Sequence, residues 1–275
     1  MFNGFICPVC GSLLTDKGSL YSCNSNHCFD KSKFGYVNLL LSQKSSAKRH
    51  GDDRVMIRAR RDFLSAGYYS FLRDKLCELL APVLGNDALI LDAGCGECYY
   101  SEGIKAYAAE HGKNYEIIGV DISKDALEFA SKRKCGVVTA VASLFVLPLP
   151  DDSCDAVLNI FSPEADEEFR RVLKNNGYLI RVIPLENHLY KLKQAVYDNP
   201  YKNEVPDSEL DGFELTDEVS VSQTLCVEGN ENITNLFKMT PYYYKTGRED
   251  QNKLLTAESL QTQAEFCIRV YRKED

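Results

Sequence analysis

The stretch that decides the fold is ALILDAGCGECYY, residues 88–100. An apolar run ends in Asp92 and is followed by Gly94, Cys95 and Gly96, after which a helical pattern begins. Glycines at such a turn let the backbone approach a ligand at the carboxyl end of a parallel sheet, where open α/β folds bind their cofactors. We therefore interpret residues 88–100 as the first strand, turn and helix of a cofactor-binding α/β domain.

Further apolar runs follow this stretch, and helical patterns separate them. Short, nearly continuous apolar strands that alternate with helices are typical of a parallel sheet covered on both faces. The predicted strands are 88–93, 116–122, 137–142, 154–161 and 178–183, with helices at 99–111, 123–133 and 164–174. A helix at about 187–197, a loop-rich stretch and two final strands at 219–227 and 264–272 complete the predicted domain.

The glycine turn does not fit a dinucleotide site. Such a site expects G-x-G-x-x-G, but Tyr99 stands where the third glycine would be. The pattern hydrophobic-hydrophobic-Asp-x-Gly-x-Gly instead resembles the first motif of Rossmann-like methyltransferases that use S-adenosylmethionine. The ends of the next three predicted strands fit the same cofactor. Asp121 is placed to accept both ribose hydroxyls, Ala142 and Ser143 to seat the adenine, and the stretch Asn159 to Pro163 to face the transferable methyl.

Four cysteines and a histidine lie within the first 28 residues. Cys7 and Cys10 form a C-x-x-C pair, and a two-residue gap lets both thiolates converge on one metal from a tight turn. Cys23 supplies a third ligand, and either His27 or Cys28 is within reach as the fourth. A segment of about 40 residues buries too little apolar surface to fold well alone, so structural zinc would supply much of its stability.

Composition places the chain among ordinary globular proteins. Its 275 residues are 44% hydrophobic and 26% charged. No apolar run approaches the ~20 residues that span a bilayer, and the N-terminus lacks the pattern of a secretion signal. We therefore predict a cytoplasmic protein without membrane contact. In that reducing compartment its 11 cysteines are not expected to form disulfides.

The net charge of −8 conceals an asymmetry. Residues 1–75 hold twelve Lys and Arg against six Asp and Glu, whereas the remainder is acidic. This favours a polyanionic partner for the N-terminal third alone, although an unevenly charged, solvated surface explains the counts equally well. Pairing of the arginines with Asp52, Asp53 or Asp62 is a competing interpretation. The candidate polyanion-binding residues are Lys44, Lys48, Arg49, Arg58, Arg60 and Arg61.

The whole chain resembles the bacterial 23S ribosomal RNA (guanine-N1)-methyltransferases of the RlmA type. The Cys/His pattern joined to the segment that begins at Gly51 is specific, whereas the glycine motif alone is not. The stretches that carry the resemblance are CPVC (7–10), Cys23 with His27, FGYVNLL (34–40), GDDRVMIRARRDFLSAGYY (51–69), LDAGCGECYY (91–100), ENHLYKLK (186–193) and KMTPYY (238–243).

The resemblance implies site residues that spacing leaves open. It implies His27 rather than Cys28 as the fourth zinc ligand. It also implies cofactor contacts at Tyr69, Gly96, Glu97 and His188. Cys98 departs from the family, which usually has a third glycine there, and its bulk would weaken cofactor binding if it packed against the methionine moiety.

The predicted architecture has three parts. Residues 1–42 form a zinc-binding RNA-recognition module, residues 43–80 a basic linker with helices, and residues 81–275 a Rossmann-like S-adenosylmethionine-dependent methyltransferase domain. The resemblance implies methylation of N1 of a guanine in a hairpin loop of 23S ribosomal RNA, and it makes a homodimer plausible. N1 lies on the pairing edge, so the base must be unpaired or flipped out to react.

Two other functions fit the same sequence. A methyltransferase for a metabolite or quinone would share every cofactor residue named above, with the zinc module serving dimer contacts. A zinc-ribbon RNA-binding protein whose methyltransferase-like domain had lost catalysis would explain Cys98. No catalytic base is predicted, since Glu97, His188 and Asn159 are possible neighbours of the reacting atom and the sequence distinguishes none of them.

Overall fold

The computed structural model describes residues 2, 4–41 and 51–274. Its centre is a set of parallel strands, each apolar along most of its length: β4 (Val37–Asn38), β5 (Leu89–Ala93), β6 (Glu116–Asp121), β7 (Val138–Val141), β8 (Cys154–Ile160) and β9 (Leu173–Pro184). An antiparallel pair, β10 (Phe213–Glu228) and β11 (Ser259–Lys273), extends the sheet beyond β9.

The order of the eight-stranded sheet is β10-β11-β9-β8-β5-β6-β7-β4. The chain moves outward from β5 to β6 and β7, then returns to place β8 on the other side of β5. The order of the strands therefore reverses between β5 and β8. Crevices at the carboxyl ends of strands beside such a reversal are where open α/β sheets bind ligands.

The helices of the described chain cover both faces of this sheet. Side chains along one strand therefore alternate between two apolar cores, one on each face. Ile90 of β5 belongs to one core, with Leu72 and Ile104, whereas Leu89 and Leu91 belong to the other. The helices are α1 (Arg54–Ser65), α2 (Ser70–Val83), α3 (Tyr99–Glu110), α4 (Lys124–Arg133), α5 (Asp166–Val172), α6 (Tyr190–Val196), α7 (Asn230–Lys238), α8 (Tyr242–Lys245) and α9 (Arg248–Asn252).

The N-terminal segment forms a small antiparallel sheet of β1 (Thr15–Asp16), β2 (Leu20–Ser22) and β3 (Cys28–Asp30). It is docked onto the large sheet, because β4 pairs with β7 and Leu39 N–H donates to the Val141 carbonyl at 2.9 Å. Phe5 and Leu14 are buried in the same core as Leu89. The metal-site segment and the large sheet are therefore joined by both hydrogen bonds and apolar packing.

The structure confirms the predicted fold class, with differences in detail. Strand β9 begins at Leu173 rather than at 178, and β10 and β11 are longer than expected. No helix is predicted between the two final strands, where the structure has α7, whose Ile233, Leu236 and Phe237 share one buried face. Such a short helix has few periodic positions, so its pattern was weak. The division of the chain into three parts stays a prediction.

Candidate cofactor site and metal centre

The turn after β5 is shaped by two glycines in the left-handed region. Gly94 has φ +85° and Gly96 has φ +54°. A Cβ added to Gly94 would lie 2.4 Å from the Cβ of Ser162, so the turn packs tightly against the loop after β8. Among the residues that the structure describes, a Cβ added to Gly96 would meet Nη1 of Arg60, at 3.9 Å, and no other atom beyond its chain neighbours. The outer side of the turn is therefore open to a ligand.

Asp92 lies beneath this turn, with only 3% of its surface exposed. Its carboxylate accepts a hydrogen bond from the Ser101 hydroxyl on α3. Burial raises the pKa of Asp92 to about 7, against the opposing effect of the Ser101 hydrogen bond, and the nearby Asp121 charge adds to the rise. Asp92 is thus poised to ionise when a positive charge arrives near it.

Asp121 stands at the carboxyl end of β6, beside the glycine turn. Its two carboxylate oxygens accept hydrogen bonds from the backbone N–H groups of Gly96, at 2.9 Å, and Ser123, at 2.7 Å. Burial raises the pKa of Asp121, and these two hydrogen bonds counteract the rise. The carboxylate is therefore held rigidly at the turn, with lone pairs left for the two hydroxyls of a ribose.

Glu97 is 2% exposed and pairs with Arg133 through Oε2. Burial raises the pKa of Glu97 while Arg133 opposes the rise. Within the described chain, Oε1 of Glu97 has no hydrogen-bond partner, and neither has the buried hydroxyl of Tyr100. Buried polar atoms are normally satisfied, so these two mark a place where a ligand with donors fits.

Cys98 does not point at the ligand side of the turn. It has φ +64° and is 1% exposed, in a cluster with Leu127 and Ala130 of α4. The left-handed backbone is what a glycine would accept without strain, and cysteine adopts it at a cost of order 1 kcal/mol. The thiol therefore fills space between helices and does not crowd the open side of Gly96.

Tyr69, at the N-cap of α2, and His188, in the β9–α6 loop, lie next to each other. The Tyr69 hydroxyl lies 3.5 Å from Nε2 of His188, and Nδ1 of His188 accepts from the Glu265 backbone N–H at 3.2 Å. Burial lowers the pKa of His188 to about 3, with the Lys193 charge adding to the effect. His188 is therefore neutral, and the bond at Nδ1 leaves its proton on Nε2.

Ala142 and Ser143 follow β7, next to Asp121. The Ala142 N–H donates to the Asp121 carbonyl at 3.2 Å, and the Ser143 hydroxyl accepts from the Phe145 N–H at 3.2 Å. Phe145 and Val146 then expose apolar surface beside this turn. The surface next to the Asp121 carboxylate is therefore partly apolar, as the predicted adenine position requires.

The loop after β8 is held by Asn159. Its side-chain amide donates to the Ser162 hydroxyl at 2.7 Å and to the Pro163 carbonyl at 3.0 Å. This amide is buried and shapes its own loop. The loop in turn places Phe161 in a left-handed conformation, φ +56°, with 48% of its surface exposed.

Phe161 is part of an aromatic group at the carboxyl end of β8. Its ring centroid lies 6.5 Å from that of Tyr100 and 5.1 Å from that of Phe266 on β11. Phe266 also contacts the His188 ring, at 4.5 Å, and the Tyr69 ring, at 5.1 Å. Flat aromatic faces of this kind bind planar rings by stacking. The sequence placed Phe161 only as part of the stretch Asn159 to Pro163, and it did not single out Tyr100 or Phe266.

The predicted metal ligands converge. The ligand atoms of Cys7, Cys10, Cys23 and His27 all lie within 4.8 Å of one another. Nδ1 of His27 is 3.5 Å from the Cys7 sulfur and 3.4 Å from the Cys23 sulfur, and the sulfurs of Cys10 and Cys23 are 3.7 Å apart. Tetrahedral zinc, with bonds of about 2.0–2.3 Å, has edges of about that length, so the donor set fits the ion.

Cys28, the alternative fourth ligand, is exposed on β3 and directs its sulfur to the Asn26 carbonyl, at 3.6 Å. It lies outside the cluster of four. The protein side chains fill a tetrahedron and leave no open position, which is the pattern of a structural rather than a catalytic zinc site.

The six predicted polyanion-binding residues differ in their surroundings and in whether the structure describes them. Lys44, Lys48 and Arg49 lie outside the described residues. On α1, Arg58 is 72% exposed and 3.8 Å from Asp62, whereas Arg61 pairs with Asp62 at 2.5 Å. Arg61 also lies over the Phe129 ring, at 4.9 Å. Arg60 faces the glycine turn.

Two family descriptions match parts of the chain. That of the RlmA N-terminal zinc ribbon matches residues 5–48, and that of a methyltransferase domain matches residues 91–181. Both matched stretches coincide with the sites described above. The fold also occurs among solved structures: a chain from the complex between the Haloferax volcanii Trm112 methyltransferase activator and a provisionally named methyltransferase has a TM-score of 0.51 at 15% identity, over 82% of this chain and 100% of that chain.

Two sequence relatives match most of the chain. YxjB of Bacillus subtilis (strain 168), provisionally named a 23S rRNA (guanine-N(1)-)-methyltransferase, is 36% identical over 204 residues, which are 72% of this chain and 71% of that protein. The 23S rRNA (guanine(748)-N(1))-methyltransferase of Streptomyces fradiae is 31% identical over 193 residues, 69% of this chain and 66% of that protein.

The protein is therefore a methyltransferase of the Rossmann-like, S-adenosylmethionine-dependent class, with a zinc ribbon at its N-terminus. The similarity to YxjB then gives the particular family. The chain belongs to the RlmA-type 23S rRNA (guanine-N1)-methyltransferases. Across the described residues, the structure contains no helix with the length and apolarity needed to cross a membrane.

Proposed function

We propose that this protein methylates N1 of a guanine in a hairpin loop of 23S ribosomal RNA, with S-adenosylmethionine as the methyl donor. The observation that carries the proposal is the exposed ring of Phe161, held beside Tyr100 and Phe266 at the end of the strand next to the glycine turn. A planar, unpaired base stacked there would lie next to the methyl group of a cofactor bound over the turn. Family membership supports guanine N1 as the atom and 23S RNA as the substrate.

The proposed cofactor residues surround the turn. Asp121 accepts the ribose hydroxyls, and Glu97 Oε1 is placed to accept from the cofactor's ammonium group. Tyr69 and His188 offer hydroxyl and Nε2 donors across the site. Asn159 contributes by holding the loop that carries Phe161. The full proposed set is Tyr69, Asp92, Gly94, Gly96, Glu97, Asp121, Ala142, Ser143, Asn159 and His188.

Positioning accounts for much of the proposed catalysis. S-adenosylmethionine, when bound, supplies an electrophilic methyl group on a sulfonium. The residues of this chain must align N1 with that methyl group, and good alignment alone contributes several kcal/mol to lowering the barrier. The aromatic faces of Phe161 and Tyr100 would also exclude water from the acceptor base.

The proton on guanine N1 must leave before or during attack. His188 is a poor acceptor for it, because Nδ1 already accepts from the Glu265 N–H and Nε2 holds the ring proton. The amide of Asn159 is a donor committed to Ser162 and Pro163. His188 is therefore proposed as a hydrogen-bond donor to substrate or cofactor, and Asn159 as a loop-holding residue, rather than as the general base.

The zinc ribbon and the basic residues are proposed to hold the RNA. Arg58 is the most exposed arginine of α1 among those named, and its weak 3.8 Å pair with Asp62 leaves it available to phosphates. Contacts of this kind give an affinity that falls steeply as salt rises. A cytoplasmic location follows from a ribosomal RNA substrate, and a homodimer stays a prediction.

Methyl transfer to unmethylated 23S ribosomal RNA tests the proposal. RNA is incubated with labelled S-adenosylmethionine and then mapped by reverse transcription, because a methyl group on N1 blocks base pairing and stops the polymerase. We expect one new stop in a hairpin loop, absent with Asp121→Ala. Label without a stop would refute N1 as the target, and cofactor binding without any incorporation would favour a small-molecule substrate or an inactive enzyme.

A further inference from the structure

Arg60 is a basic residue of α1 whose position does not match a role at the RNA interface. Its guanidinium pairs with Asp52 at 2.6 Å and donates to the Met239 carbonyl at 3.4 Å. Apart from the two chain neighbours of Gly96, Nη1 is the only atom of the described residues within 4 Å of a Cβ added to this glycine. Arg60 is 29% exposed, whereas Arg58, two residues earlier, is 72% exposed. Arg60 thus covers the cofactor turn, while Arg58 faces solvent.

The charge of Arg60 also influences the ionisable groups of the proposed cofactor site. Its charge lowers the pKa of Asp121 and of Glu97, opposing the larger effect of burial in each case. It acts in the same direction on the hydroxyl of Tyr100. The groups that Arg60 influences therefore come from β6, the glycine turn and α3, and each belongs to the proposed cofactor and acceptor sites.

The charges of the proposed cofactor explain why a cation is needed there. S-adenosylmethionine carries a sulfonium, an ammonium and a carboxylate. The site offers the carboxyl groups of Asp52, Asp92, Glu97 and Asp121, which suit the two cations and the ribose but repel the carboxylate. A carboxylate bound among these acids therefore requires a cationic partner.

Two guanidinium groups approach the turn within the described chain, and they differ in availability. Arg133 is bound by both Glu97 and Glu102. Arg60 has one carboxylate partner, Asp52, and one long bond to a carbonyl. A guanidinium has five N–H donors, so Arg60 retains donors for a second carboxylate. Asp52 itself is anchored independently, because its backbone carbonyl accepts from the Ser123 hydroxyl at 3.0 Å.

We propose that Arg60 binds the carboxylate of the methionine moiety of S-adenosylmethionine and is a cofactor-binding residue rather than an RNA-binding one. This inference rests on the proposed cofactor site and adds to it the residue that recognises the anionic end of the cofactor. Tyr69 and His188 are the competing donors for that carboxylate, since both belong to the proposed cofactor set and the Tyr69 hydroxyl lies 3.5 Å from Nε2 of His188.

The test compares two ligands on the full-length, zinc-loaded protein by calorimetry. S-adenosylmethioninamine keeps the adenosine, sulfonium and ammonium of the cofactor and lacks only the carboxylate. Wild-type protein is expected to bind S-adenosylmethionine about 10–100-fold more tightly than the amine, the size of a lost charge-assisted pair. In Arg60→Gln the preference should fall to within about threefold, because only the carboxylate loses its partner. Arg60→Lys should restore part of it.

Matched variants exclude indirect effects. Arg58→Gln, on the same helix, should keep the wild-type preference. Asp52→Asn should also keep the wild-type preference, because the carboxylate of S-adenosylmethionine is then the sole carboxylate partner of Arg60. Loss of the preference in Asp52→Asn would mean that Arg60 acts only by holding Asp52. Full preference in Arg60→Gln would overturn the proposal in favour of Tyr69 and His188. Wild-type protein that binds neither ligand would refute the cofactor site itself, and this inference with it.

Discussion

The N-terminal zinc ribbon and the large sheet share an apolar core but are stabilised in different ways. In the ribbon, short strands of two or three residues surround four convergent ligands. In the large domain, strands such as β5 are buried along their whole length between helices. The comparison teaches that polar residues have different tasks in the two regions. In the ribbon the metal ligands stabilise the fold. In the large domain the apolar core stabilises the fold, so its polar residues are available for function.

The largest expected effect comes from breaking the metal cluster. Cys23→Ser should abolish stoichiometric zinc binding and unfold residues 5–41, because zinc contributes about 10–16 kcal/mol in isolated zinc-finger peptides. Metal analysis and hydrogen exchange over β1–β4 measure this. Cys28→Ser is the matched control, since its exposed sulfur lies outside the cluster. Retained zinc in Cys23→Ser would disprove the ligand assignment.

A core substitution in the large domain should lower its stability without removing the zinc. Leu72 of α2 is fully buried, so Leu72→Ala should lower the free energy of unfolding by about 2–5 kcal/mol. Zinc content should remain that of wild type. Denaturant unfolding and metal analysis on the same sample measure the two quantities. Loss of zinc from this variant would show that the ribbon depends on the sheet more than its ligand set implies.

Asp121→Asn should impair the site while leaving the fold intact. The carboxylate has two backbone donors that the amide oxygen can only partly satisfy, and it loses the charge that binds ribose hydroxyls. Charged hydrogen bonds contribute about 1.5–3 kcal/mol, so cofactor affinity should fall roughly 10–150-fold. Calorimetry measures this, with thermal unfolding as the control for the fold. Unchanged affinity would remove Asp121 from the ribose site.

A smaller effect is expected from pH. The pKa of Asp92 is about 7 in the free protein, and the cationic cofactor favours its ionised form. Below pH 7, binding must expel a proton, so affinity should fall by up to about tenfold per pH unit; above pH 7 the contribution of Asp92 should level off. Asp121, whose pKa is also raised, acts in the same direction. Asp92→Asn should flatten the profile, and an equally steep profile in that variant would exclude Asp92 as the cause.

The sequence predicted those features that depend on local spacing. Three such features each lie within a few residues of the sequence: the C-x-x-C pair, the glycine turn and the acidic end of β6. In the structure the members of each feature lie close together. Phe266 could not be found in this way, because it reaches the site from β11, more than 160 residues after the turn. Phe161 is exposed on a loop that is left-handed at this residue and is tied to Asn159 by a hydrogen bond, and neither feature can be read from local spacing.

Arg60 is a second residue whose position could not be predicted from the sequence. Its place in the basic run RARR predicted contact with RNA, because composition cannot tell which face of α1 packs against the other helices. Only the packed helix shows that Arg58 faces solvent while Arg60 lies over Gly96. Charge patterns therefore identified the basic segment, and packing was needed to divide its residues between the two proposed roles.

The most direct test of the central claim is the chemical identity of the product. Unmethylated 23S ribosomal RNA is treated with the protein and S-adenosylmethionine, digested to nucleosides and analysed by mass spectrometry. The account predicts about one 1-methylguanosine per RNA molecule and no other new methylated nucleoside. Methyl groups on another base or another atom of guanine, or an unmodified RNA despite a bound cofactor, would contradict it.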